Sequence, residues 1–410
     1  MSLKQDAYQM IAEAIQEVLP DQAVKQALKE KKFANGKIYV AAVGKAAWQM
    51  AKAASETLGS RIEKGVVVTK YHHVMAEIPN MVCYEAGHPI PDDNSFQGTE
   101  AVLELVRDLA PEDTILFLLS GGGSALFEKP LIPGEELAEI TGQLLCCGAD
   151  IAEINTIRKR LSGVKGGKFA KFCEPAQVYS IVLSDILGDP LDMIASGPAC
   201  ADRSTCEAAC SIVRKYKLTI SEKALECLKT ETPKNLDNVE TKITGSVKNL
   251  CHALARSCEN LGYKPVILTD QLICEAREAG SFLASIAKTY AGSRESLAFI
   301  AGGETVVHVT GNGKGGRNQE LALAAAIGIA GLEGTAVFSF GSDGTDGPTD
   351  AAGGFCDNNT WKRLQEQDID ISEVLRQNDA YHALKKCDGL IMTGPTGTNV
   401  NDAAVLLIAR

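Results

Sequence analysis

The chain has no excess of basic residues. Its 410 residues contain 41 Lys and Arg against 52 Asp and Glu, and the formal net charge is −11. Proteins that bind nucleic acids in general need a basic face, so this balance predicts that nucleic acid is not a partner. A local cluster of basic side chains could still bind a small anion against the overall charge.

The chain also has no apolar run of the roughly 20 residues that a membrane-spanning helix requires. Acidic residues interrupt the apolar pattern at its start, which is unlike a signal peptide. The 13 cysteines are odd in number and show no C-x-x-C spacing, which is typical of reduced thiols. We therefore expect a cytoplasmic protein with no membrane partner.

Several catalytic signatures are missing as well. The sequence has neither the H-E-x-x-H motif of zinc enzymes nor the G-x-S-x-G turn of serine hydrolases. It lacks the Walker A motif, and we place no G-x-G-x-x-G fingerprint after any predicted strand. The acid-rich segment from Asp343 does not follow the ligand spacing of an EF-hand. Zinc chemistry, covalent hydrolysis and the two commonest nucleotide-binding folds are therefore disfavoured.

What the sequence does contain is a series of short apolar runs separated by helical patterns. Such alternation predicts an α/β fold with a mostly parallel sheet covered on both faces. The length favours two domains, and a polar segment over residues 217–245 separates them. We predict an N-terminal Rossmann-like α/β domain over residues 1–240 and a C-terminal α/β domain with a mixed sheet over residues 241–410. A hairpin over residues 297–310 would make the second sheet mixed, and the last helix could pack back on the first domain.

The run LFLLSGGGSAL places three glycines and two serines at the end of a predicted buried strand. In an open α/β sheet, ligands bind at the carboxyl ends of the strands. Successive glycines let several backbone N–H groups point at one anion. We therefore predict an anion-binding turn, with a tight turn that binds no ligand as the alternative. Its residues are Ser120, Gly121, Gly122, Gly123 and Ser124.

Basic side chains occur at two further places. Lys45 follows the first predicted strand at the start of a helix, where it could face an anion or simply be solvated. The run NTIRKRLSGVKGG is unusually basic for an acidic protein. Within it, Arg158 and Lys159, close after Asn155, could clamp a carboxylate or a phosphate, although such a run is usually a solvated helix face.

The run VLSDILGDPLDMIASGP ends another predicted strand with acids. Carboxylates at a strand end can hold Mg²⁺ through oxygen ligands while the metal bridges phosphates. Asp185 and Asp189 are therefore candidate magnesium ligands, and a polar loop with a helix cap is the alternative. Ser184, Ser196 and Gly197 are further candidates for contacts with the substrate or with phosphate groups.

The C-terminal half contributes several acids and one unusual arginine. Arg317 opens a predicted helix, where its charge opposes the helix dipole, which favours a role in binding a ligand. Glu304 follows a predicted strand and Asn318 follows Arg317, and both are candidates for substrate or phosphate binding. The run FGSDGTDGPTDAAGG adds Asp343 and Asp346 directly after another apolar strand.

Taken in order, these motifs resemble those of the class II glycerate kinases, a family with a C-terminal MOFRL domain. The resemblance runs from about Ile38 to Leu407 and rests on VGKAA, LLSGGGSAL, INTIRKRLSGVKGG, VLSDILGDPLDMIASGP, GGRNQELALAAA, GSDGTDGPTDAAGG and TGPTGTNVND. It implies an ATP-dependent kinase that acts on D-glycerate, usually giving 2-phosphoglycerate. It also implies an active site in a cleft between two α/β domains, with the MOFRL region over about residues 295–405.

The resemblance implies roles for particular residues. The functional lysine, arginine and aspartate of the family match Lys45, Arg317 and Asp343, with Asp346 as the second choice for the aspartate. Lys45 and Arg317 would neutralise the transferred phosphoryl group, while the aspartate would orient or deprotonate the attacking hydroxyl. Asn399, in TGPTGTNVND, is a further candidate for substrate or phosphate binding.

ATP and Mg²⁺ are the implied cofactors. The ATP phosphates would lie against the glycine turn with Mg²⁺ near Asp185 or Asp189, and Arg158 or Lys159 would hold the carboxylate of glycerate. Two other hypotheses stay open: an NAD(P)H-dependent hydroxypyruvate reductase, and a non-catalytic anion-sensing protein on the same fold. A homodimer also stays open.

Overall fold

The computed structural model describes residues 2–410, which form two compact units. Pro20–Thr244 form one of them, called here the N-terminal unit. The residues through Leu19, together with Gly245–Arg410, form the other, called here the C-terminal unit. The division lies close to the one expected after residue 240, but the first helix belongs with the opposite end of the chain.

The first helix, α1 (Leu3–Glu17), joins the C-terminal unit because its apolar face is buried there. Ser2 and Gln5 form a capping box at its start. Met10 Sδ lies 3.7 Å from the thiol of Cys258, and the Tyr263 hydroxyl donates a hydrogen bond of 2.7 Å to Asp6. The buried face consists of Ala7, Met10, Ile11, Ala14 and Ile15.

The N-terminal unit contains a parallel sheet of six strands in the order β3-β2-β1-β4-β5-β6. This is the strand order of the doubly wound dinucleotide-binding folds, and it confirms the predicted Rossmann-like arrangement. The strands are β1 (Ile38–Val43), β2 (Ile62–Lys70), β3 (Met81–Ala86), β4 (Thr114–Leu119), β5 (Gln177–Leu183) and β6 (Val239–Gly245). The helices are α2 (Pro20–Glu30), α3 (Ala47–Leu58), α4 (Asp93–Leu105), α5 (Gly123–Leu126), α6 (Gly134–Cys146), α7 (Ile151–Leu161), α8 (Lys168–Phe172), α9 (Cys206–Tyr216) and α10 (Glu222–Leu228).

Helices cover both faces of this sheet, as its apolar strands predict. Successive side chains of β4 point to opposite faces, so Leu116 and Leu118 join one apolar cluster with α2 and α3. Phe117 and Leu119 join a second cluster with α4 and α8. Every residue of β4 is buried, which explains why the strand reads as a continuous apolar run.

The polar segment over residues 217–245 is not a free linker but part of the N-terminal unit. It contains α10, which packs with α6, α7 and α9, and the edge strand β6. The loop between them is fixed by Thr232, whose hydroxyl donates to Asp202 at 2.8 Å, and by Glu231, which pairs with Arg160 at 3.1 Å. Polarity here reflects ion pairing and an exposed sheet edge.

The C-terminal unit contains a mixed sheet of six strands in the order β11-β10-β9-β12-β8-β7, which confirms the predicted mixed sheet. Strand β12 runs antiparallel to both of its neighbours, whereas β7 and β8 are parallel. The strands are β7 (Lys264–Leu272), β8 (Leu297–Gly303), β9 (Thr335–Gly341), β10 (Gly353–Asp357), β11 (Leu390–Ile391) and β12 (Asp402–Ile408). The other helices are α11 (Val247–Asn260), α12 (Ala276–Thr289), α13 (Arg317–Ile329), α14 (Thr360–Gln365), α15 (Ile371–Arg376) and α16 (Ala380–Lys386).

The hairpin predicted over residues 297–310 is wrong. The chain after β8 does not fold back onto β8, because β12 already occupies that edge. Instead, the Glu304 N–H donates to the Leu272 carbonyl at 2.9 Å and the Val306 N–H donates to the Cys274 carbonyl at 3.0 Å. The sheet is mixed through its last strand. Within residues 2–410, no helix has both the length and the apolar character needed to cross a bilayer.

Candidate functional site

The carboxyl ends of β1 and β4 lie side by side where the strand order of the N-terminal unit reverses. Chains that leave adjacent strands in opposite directions open a crevice, which is where ligands bind in such sheets. The backbone N–H of Lys45 donates to the carbonyl of Gly121 at 2.8 Å, and the N–H of Ala46 donates to Ser120 Oγ at 3.0 Å. The structure thus brings together Lys45 and the predicted anion-binding turn.

The three glycines of this turn are required by what packs against them. A Cβ atom on Gly121 would lie 2.2 Å from Asp185 Oδ2, and one on Gly122 would lie 2.9 Å from the ring of His88 and 3.1 Å from Lys45 Cγ. Gly122 also has a φ of 83°, which side chains rarely allow. Among residues 2–410, the N–H groups of Gly121 and Gly122 donate no hydrogen bond. These donors are therefore available to an anion.

A chain of hydrogen bonds links three of the predicted polar residues to one another. The hydroxyls of Ser124 and Ser196 lie 3.3 Å apart, and Ser196 donates to Asn155 Oδ1 at 2.8 Å. Ser196 has a φ of 60°, a costly conformation for a residue with a side chain. Residues from three separate motifs thus meet behind the glycine turn.

Arg158 is a half-buried basic residue of this region that keeps one unused hydrogen-bond donor. Its Nη2 donates to the carbonyl of Ser124 at 3.2 Å, which places the guanidinium beside the anion-binding turn. Its Nε is buried and has no hydrogen-bond partner among the described residues. Burial lowers the pKa of Arg158. A planar guanidinium with an unused donor suits a carboxylate or a phosphate.

Lys159 has a different environment, although it follows Arg158 directly. Its ammonium lies 3.2 Å from Asp202 and 3.3 Å from Asp192, and only 3% of the residue is exposed. Its neighbour Arg160 is also buried and is paired, so neither side chain lies on a solvated helix face. The geometry favours a structural role for Lys159 and leaves Arg158 as the candidate clamp.

Ser184 and Gly197 shape the backbone around this region. The Ser184 hydroxyl donates to the carbonyl of Ile186 at 3.1 Å and is buried, so it holds the turn after β5. Gly197 has a φ of 65°, and its carbonyl accepts from the N–H of Gly167 at 2.7 Å. These hydrogen bonds are made within the protein, and contacts of Ser184 and Gly197 with a substrate or with phosphate stay a prediction.

The two predicted magnesium ligands lie on the segment after β5. Asp185 packs against Gly121, and Asp189 has one buried carboxylate oxygen with no hydrogen-bond partner among residues 2–410. No group of three metal-ligating side chains occurs within that range. Mg²⁺ is commonly held by one or two carboxylates together with substrate phosphates, so the two acids fit that donor set. Their role as ligands stays a prediction.

His88 is a residue of this region that the sequence analysis missed. It follows β3, a strand that was not predicted, and its ring lies against Gly122. Burial lowers the pKa of His88, and the nearby Lys45 and Lys70 lower it further, so the neutral imidazole is favoured. The signal was a histidine in EAGHP, directly after a short run with alternating apolar side chains.

In the C-terminal unit, Arg317 is surrounded by carboxylates. Its Nε and Nη2 donate to the two oxygens of Asp402 at 2.5 and 3.2 Å, and its Nη1 donates to Glu304 at 2.8 Å. Asn401 Nδ2 donates to the other oxygen of Glu304 at 3.3 Å. Burial opposes the charge of Arg317, but the two acids outweigh it and raise the pKa of the guanidinium. Asp402 was not singled out from the sequence.

Strand register explains why these groups meet. Asp402 begins β12 and lies opposite Gly303, at the end of β8, and Gly341, at the end of β9. Glu304 directly follows β8, and Asp343 follows β9 after one residue. Asp343 Oδ1 accepts from Thr345, from its N–H at 2.9 Å and from its hydroxyl at 3.0 Å. Asp343 Oδ2 has no partner among residues 2–410 and the side chain is half-buried.

Asp346, the second aspartate of this loop, caps α13. Its two oxygens accept from the N–H groups of Asn318 and Gln319 at 3.1 and 2.9 Å, and the residue is 3% exposed. Burial raises the pKa of Asp346 to about 6. A general base must reach the substrate proton, so the buried cap is poorly placed and Asp343 is the better candidate.

The two remaining predicted asparagines also differ in exposure. Asn318 is buried, and its Oδ1 accepts a hydrogen bond of 2.6 Å from Ser339, so it orders the interior. Asn399 is exposed on the loop before β12, where its Oδ1 accepts from the N–H of Asn401 at 3.4 Å. Asn399 can therefore reach a ligand, whereas Asn318 fixes the start of α13.

The letters of residues 311–316, GNGKGG, do fit the G-x-G-x-x-G pattern, which the sequence analysis overlooked. The fingerprint requires a preceding strand, and residues 305–310 form none. A Cβ atom on Gly311 or Gly313 would lie 2.3 or 2.5 Å from residues 377–379, so these glycines serve packing. The match lacks the structural context of a dinucleotide site.

Two family models match the chain. One, described as a domain of unknown function (DUF4147), covers residues 6–229, which is more than half of the chain. The other, described as the MOFRL family, covers residues 297–402.

Similar proteins and structures extend over the whole chain. A D-glycerate 2-kinase from Thermotoga maritima is 52% identical over 99% of both chains, and a glycerate 2-kinase from Pyrococcus horikoshii is 41% identical over 100% of this chain and 98% of its own. A relative from Agrobacterium vitis, provisionally named a hydroxypyruvate reductase, is 38% identical over 91% of this chain and 100% of its own. The crystal structure of glycerate kinase from Thermotoga maritima has a TM-score of 0.96, with 52% identity and 99% coverage of both chains.

Proposed function

Because this chain belongs to the class II glycerate kinase family, we propose that it transfers a phosphoryl group from ATP to D-glycerate and forms 2-phospho-D-glycerate. The carrying observation is similarity along the full chain to a D-glycerate 2-kinase. The contacts within each unit support the proposal, because one unit offers uncommitted donors for anions and the other offers an arginine and an accessible aspartate. The expectation of one active site lined by both units stays a prediction.

In the N-terminal unit, we assign phosphate binding to the glycine turn and Lys45. The N–H groups of Gly121 and Gly122 supply donors, and Lys45, whose side-chain stem packs beside Gly122, would supply positive charge near the same strand ends. Phosphoryl transfer depends mainly on positioning and on neutralising spread negative charge, which such donors provide. When bound, ATP would supply the phosphoryl group, and Mg²⁺ would neutralise part of the phosphate charge. Asp185 and Asp189 would hold the metal.

Arg158 is our candidate for the carboxylate of glycerate. Its guanidinium is held at the carbonyl of Ser124 and keeps its buried Nε unpaired, so a carboxylate oxygen would satisfy that donor. An unsatisfied buried donor costs free energy, which a bound carboxylate would recover. This role separates Arg158 from Lys159, whose charge is already neutralised.

In the C-terminal unit, we assign the hydroxyl of glycerate to Asp343 and the transferred phosphoryl group to Arg317. Asp343 keeps one carboxylate oxygen without a partner, so it can accept the proton or orient the hydroxyl for attack. Arg317 is held rigidly by Asp402, so its charge needs little reorganisation when negative charge develops on the phosphoryl oxygens.

The direct test is an assay with D-glycerate, ATP and Mg²⁺, with the product identified by phosphorus NMR. Formation of 2-phosphoglycerate is the expected result, and 3-phosphoglycerate would correct the regiochemistry. Arg317→Ala and Asp343→Ala should both lose activity. Asp343→Ala should melt close to the parent temperature, whereas Arg317→Ala should melt lower because it leaves the Asp402 carboxylate buried and unpaired. Asp350→Asn, in the same loop but hydrogen-bonded to Tyr381, is the control. Full activity in both site variants would contradict the proposal.

The second candidate function is reduction of hydroxypyruvate. It is favoured by the provisional name of the Agrobacterium vitis relative. The structure weighs against it, because the glycine pattern at residues 311–316 follows no strand. Loss of NADH or NADPH absorbance with hydroxypyruvate would support this function. Stabilisation by glycerate or ATP without turnover would instead indicate a protein that senses anions.

A further inference from the structure

The Asp402 carboxylate binds one edge of the Arg317 guanidinium, and the other edge of the guanidinium faces away from Asp402. We propose that Asp402 is a positioning residue, which fixes Arg317 so that the Nη1 edge of the guanidinium faces the transferred phosphoryl group. The inference rests on the proposed role of Arg317 in phosphoryl transfer. It adds a residue that neither the sequence motifs nor the comparisons single out.

The attachment of Asp402 is rigid. It begins β12, which is hydrogen-bonded to β8 on one side and to β9 on the other. Its neighbours across both ladders are Gly303 and Gly341, so no side chain competes for the space above the strand end. The residue is 7% exposed, and both of its oxygens accept from Arg317. A two-point contact from a central strand fixes the plane of the guanidinium.

The opposite edge of Arg317 is held much less firmly. Nη1 donates to Glu304, whose side chain is 46% exposed and which lies on the loop after β8. Asn401 also donates to Glu304, but an ion pair with an exposed carboxylate contributes little and is exchangeable with solvent or a ligand. A phosphoryl oxygen can therefore take the place of Glu304 at Nη1 while Asp402 keeps the other two donors.

The helix supplies a reason why Arg317 needs this partner. Arg317 is the first residue of α13, where its positive charge opposes the helix dipole. The N–H groups that follow it are capped by Asp346, so the helix itself does not require a charge at Arg317. The negative charge of Asp402 compensates the unfavourable position of the Arg317 charge and holds the guanidinium in place.

The test is a double-mutant cycle on Asp402→Asn and Arg317→Ala, with kcat and KM measured in the glycerate kinase assay. Asp402→Asn keeps the shape but removes the charge and one acceptor, so kcat should fall about 10–100-fold while KM for glycerate changes about threefold or less. If Asp402 acts only through Arg317, the double variant loses no more activity than Arg317→Ala alone. It should also melt higher than Arg317→Ala, because a buried unpaired charge is removed.

The matched control is Asp357→Asn, which breaks an arginine–aspartate pair with Arg363 (2.8 Å) elsewhere in the same unit. It should leave kcat unchanged. Unchanged kcat in Asp402→Asn, or the same loss in both backgrounds, would overturn the inference. If Asp402→Asn does not fold, Arg317→Lys tests the same inference. A lysine ammonium cannot reproduce the planar guanidinium that Asp402 holds at two donors, so kcat should fall. Full kcat in Arg317→Lys would contradict the inference. Full activity of Arg317→Ala would instead overturn the proposed role of Arg317, whereas absence of glycerate kinase activity in the parent protein would overturn the proposed function.

Discussion

The two units differ in how the polar groups of their candidate sites are partnered. In the N-terminal unit, the glycine turn and Arg158 have donors without partners, and the acids nearby lie on a separate segment. In the C-terminal unit, Arg317 already has two carboxylate partners before any ligand is present. Free donors favour binding strength, whereas a pre-paired arginine favours fixed geometry. The comparison predicts that changes in the first unit act mainly on KM and changes in the second mainly on kcat.

The largest effect should come from Arg317→Ala. Loss of one preorganised charge from a transition state typically costs about 10²–10³ in rate, so we expect kcat to fall by that factor with a small change in KM. Steady-state kinetics with D-glycerate and ATP measures both. Arg363→Ala removes a guanidinium from an ion pair elsewhere in the unit and should leave kcat unchanged. A large rise in KM with constant kcat would contradict the expectation that changes in the C-terminal unit act mainly on kcat.

Gly122→Ala should give the next largest effect. The new Cβ would need a φ of 83° and would meet the ring of His88 and the stem of Lys45, so kcat/KM should fall about 10–100-fold. The control is Gly148→Ala, because Gly148 has a φ of 73° but nothing within 4 Å of the added atom. Both variants carry backbone strain, and only the first disturbs the turn. Equal losses in both would point to strain alone.

Arg158 and Lys159 provide a pair of neighbours with opposite expectations. Arg158→Lys removes the planar fork and should raise KM for glycerate about tenfold, with little change in melting temperature. Lys159→Met leaves Asp202 buried with one cation fewer and should lower the melting temperature by several degrees, without a comparable rise in KM. Thermal melts and steady-state kinetics on both variants check this. The reverse pattern would make Lys159 the clamp.

The last prediction concerns stability rather than kinetics, through the pH dependence that Asp346 introduces. Its folded-state pKa of about 6 lies above the value of an unfolded aspartate, so the folded protein binds the extra proton between about pH 4 and 6. The resulting stabilisation is complete below the unfolded pKa and is lost as pH rises through the folded pKa.

In Asp346→Asn the side chain at this position cannot titrate, so the variant serves as the reference for the pH dependence of the parent. From pH 4 to pH 7, the parent should lose up to about 3 kcal/mol relative to this variant, superimposed on the variant's constant loss of one capping bond. Melting temperatures of both proteins across this range measure the difference. A parallel pH dependence of the two melting temperatures would show that the pKa of the Asp346 carboxyl group is not raised.

The fold was predictable where a strand is buried on both faces. β1, β4, β5, β8 and β9 read as continuous apolar runs because each is covered on both faces. β6 was not predicted, because an edge strand keeps polar side chains and its segment was interpreted as a linker. β12 is an exception, because its run DAAVLLI is buried along its whole length but was not interpreted as a strand.

The residues of the candidate site also differ in whether the sequence could predict them. Residues that directly follow buried strands, such as Lys45 and Gly121, were found because the end of a strand can be located from local composition. The pairings that separate Arg158 from Lys159, and Asp343 from Asp346, could not be found. They depend on contacts with residues far away in sequence, such as Asp202 for Lys159 and Asn318 for Asp346.

The position of β12 has a consequence for how the chain is made. The C-terminal unit combines α1, which is synthesised before the N-terminal unit, with β12, which follows every other element of the C-terminal unit. Because β12 fills the gap between β8 and β9, this sheet cannot close until residues 402–408 have been synthesised. The N-terminal unit needs only residues 20–244 and can fold during translation. Nascent chains stalled before residue 402 should therefore display a protease-resistant N-terminal unit beside an incomplete, chaperone-dependent remainder.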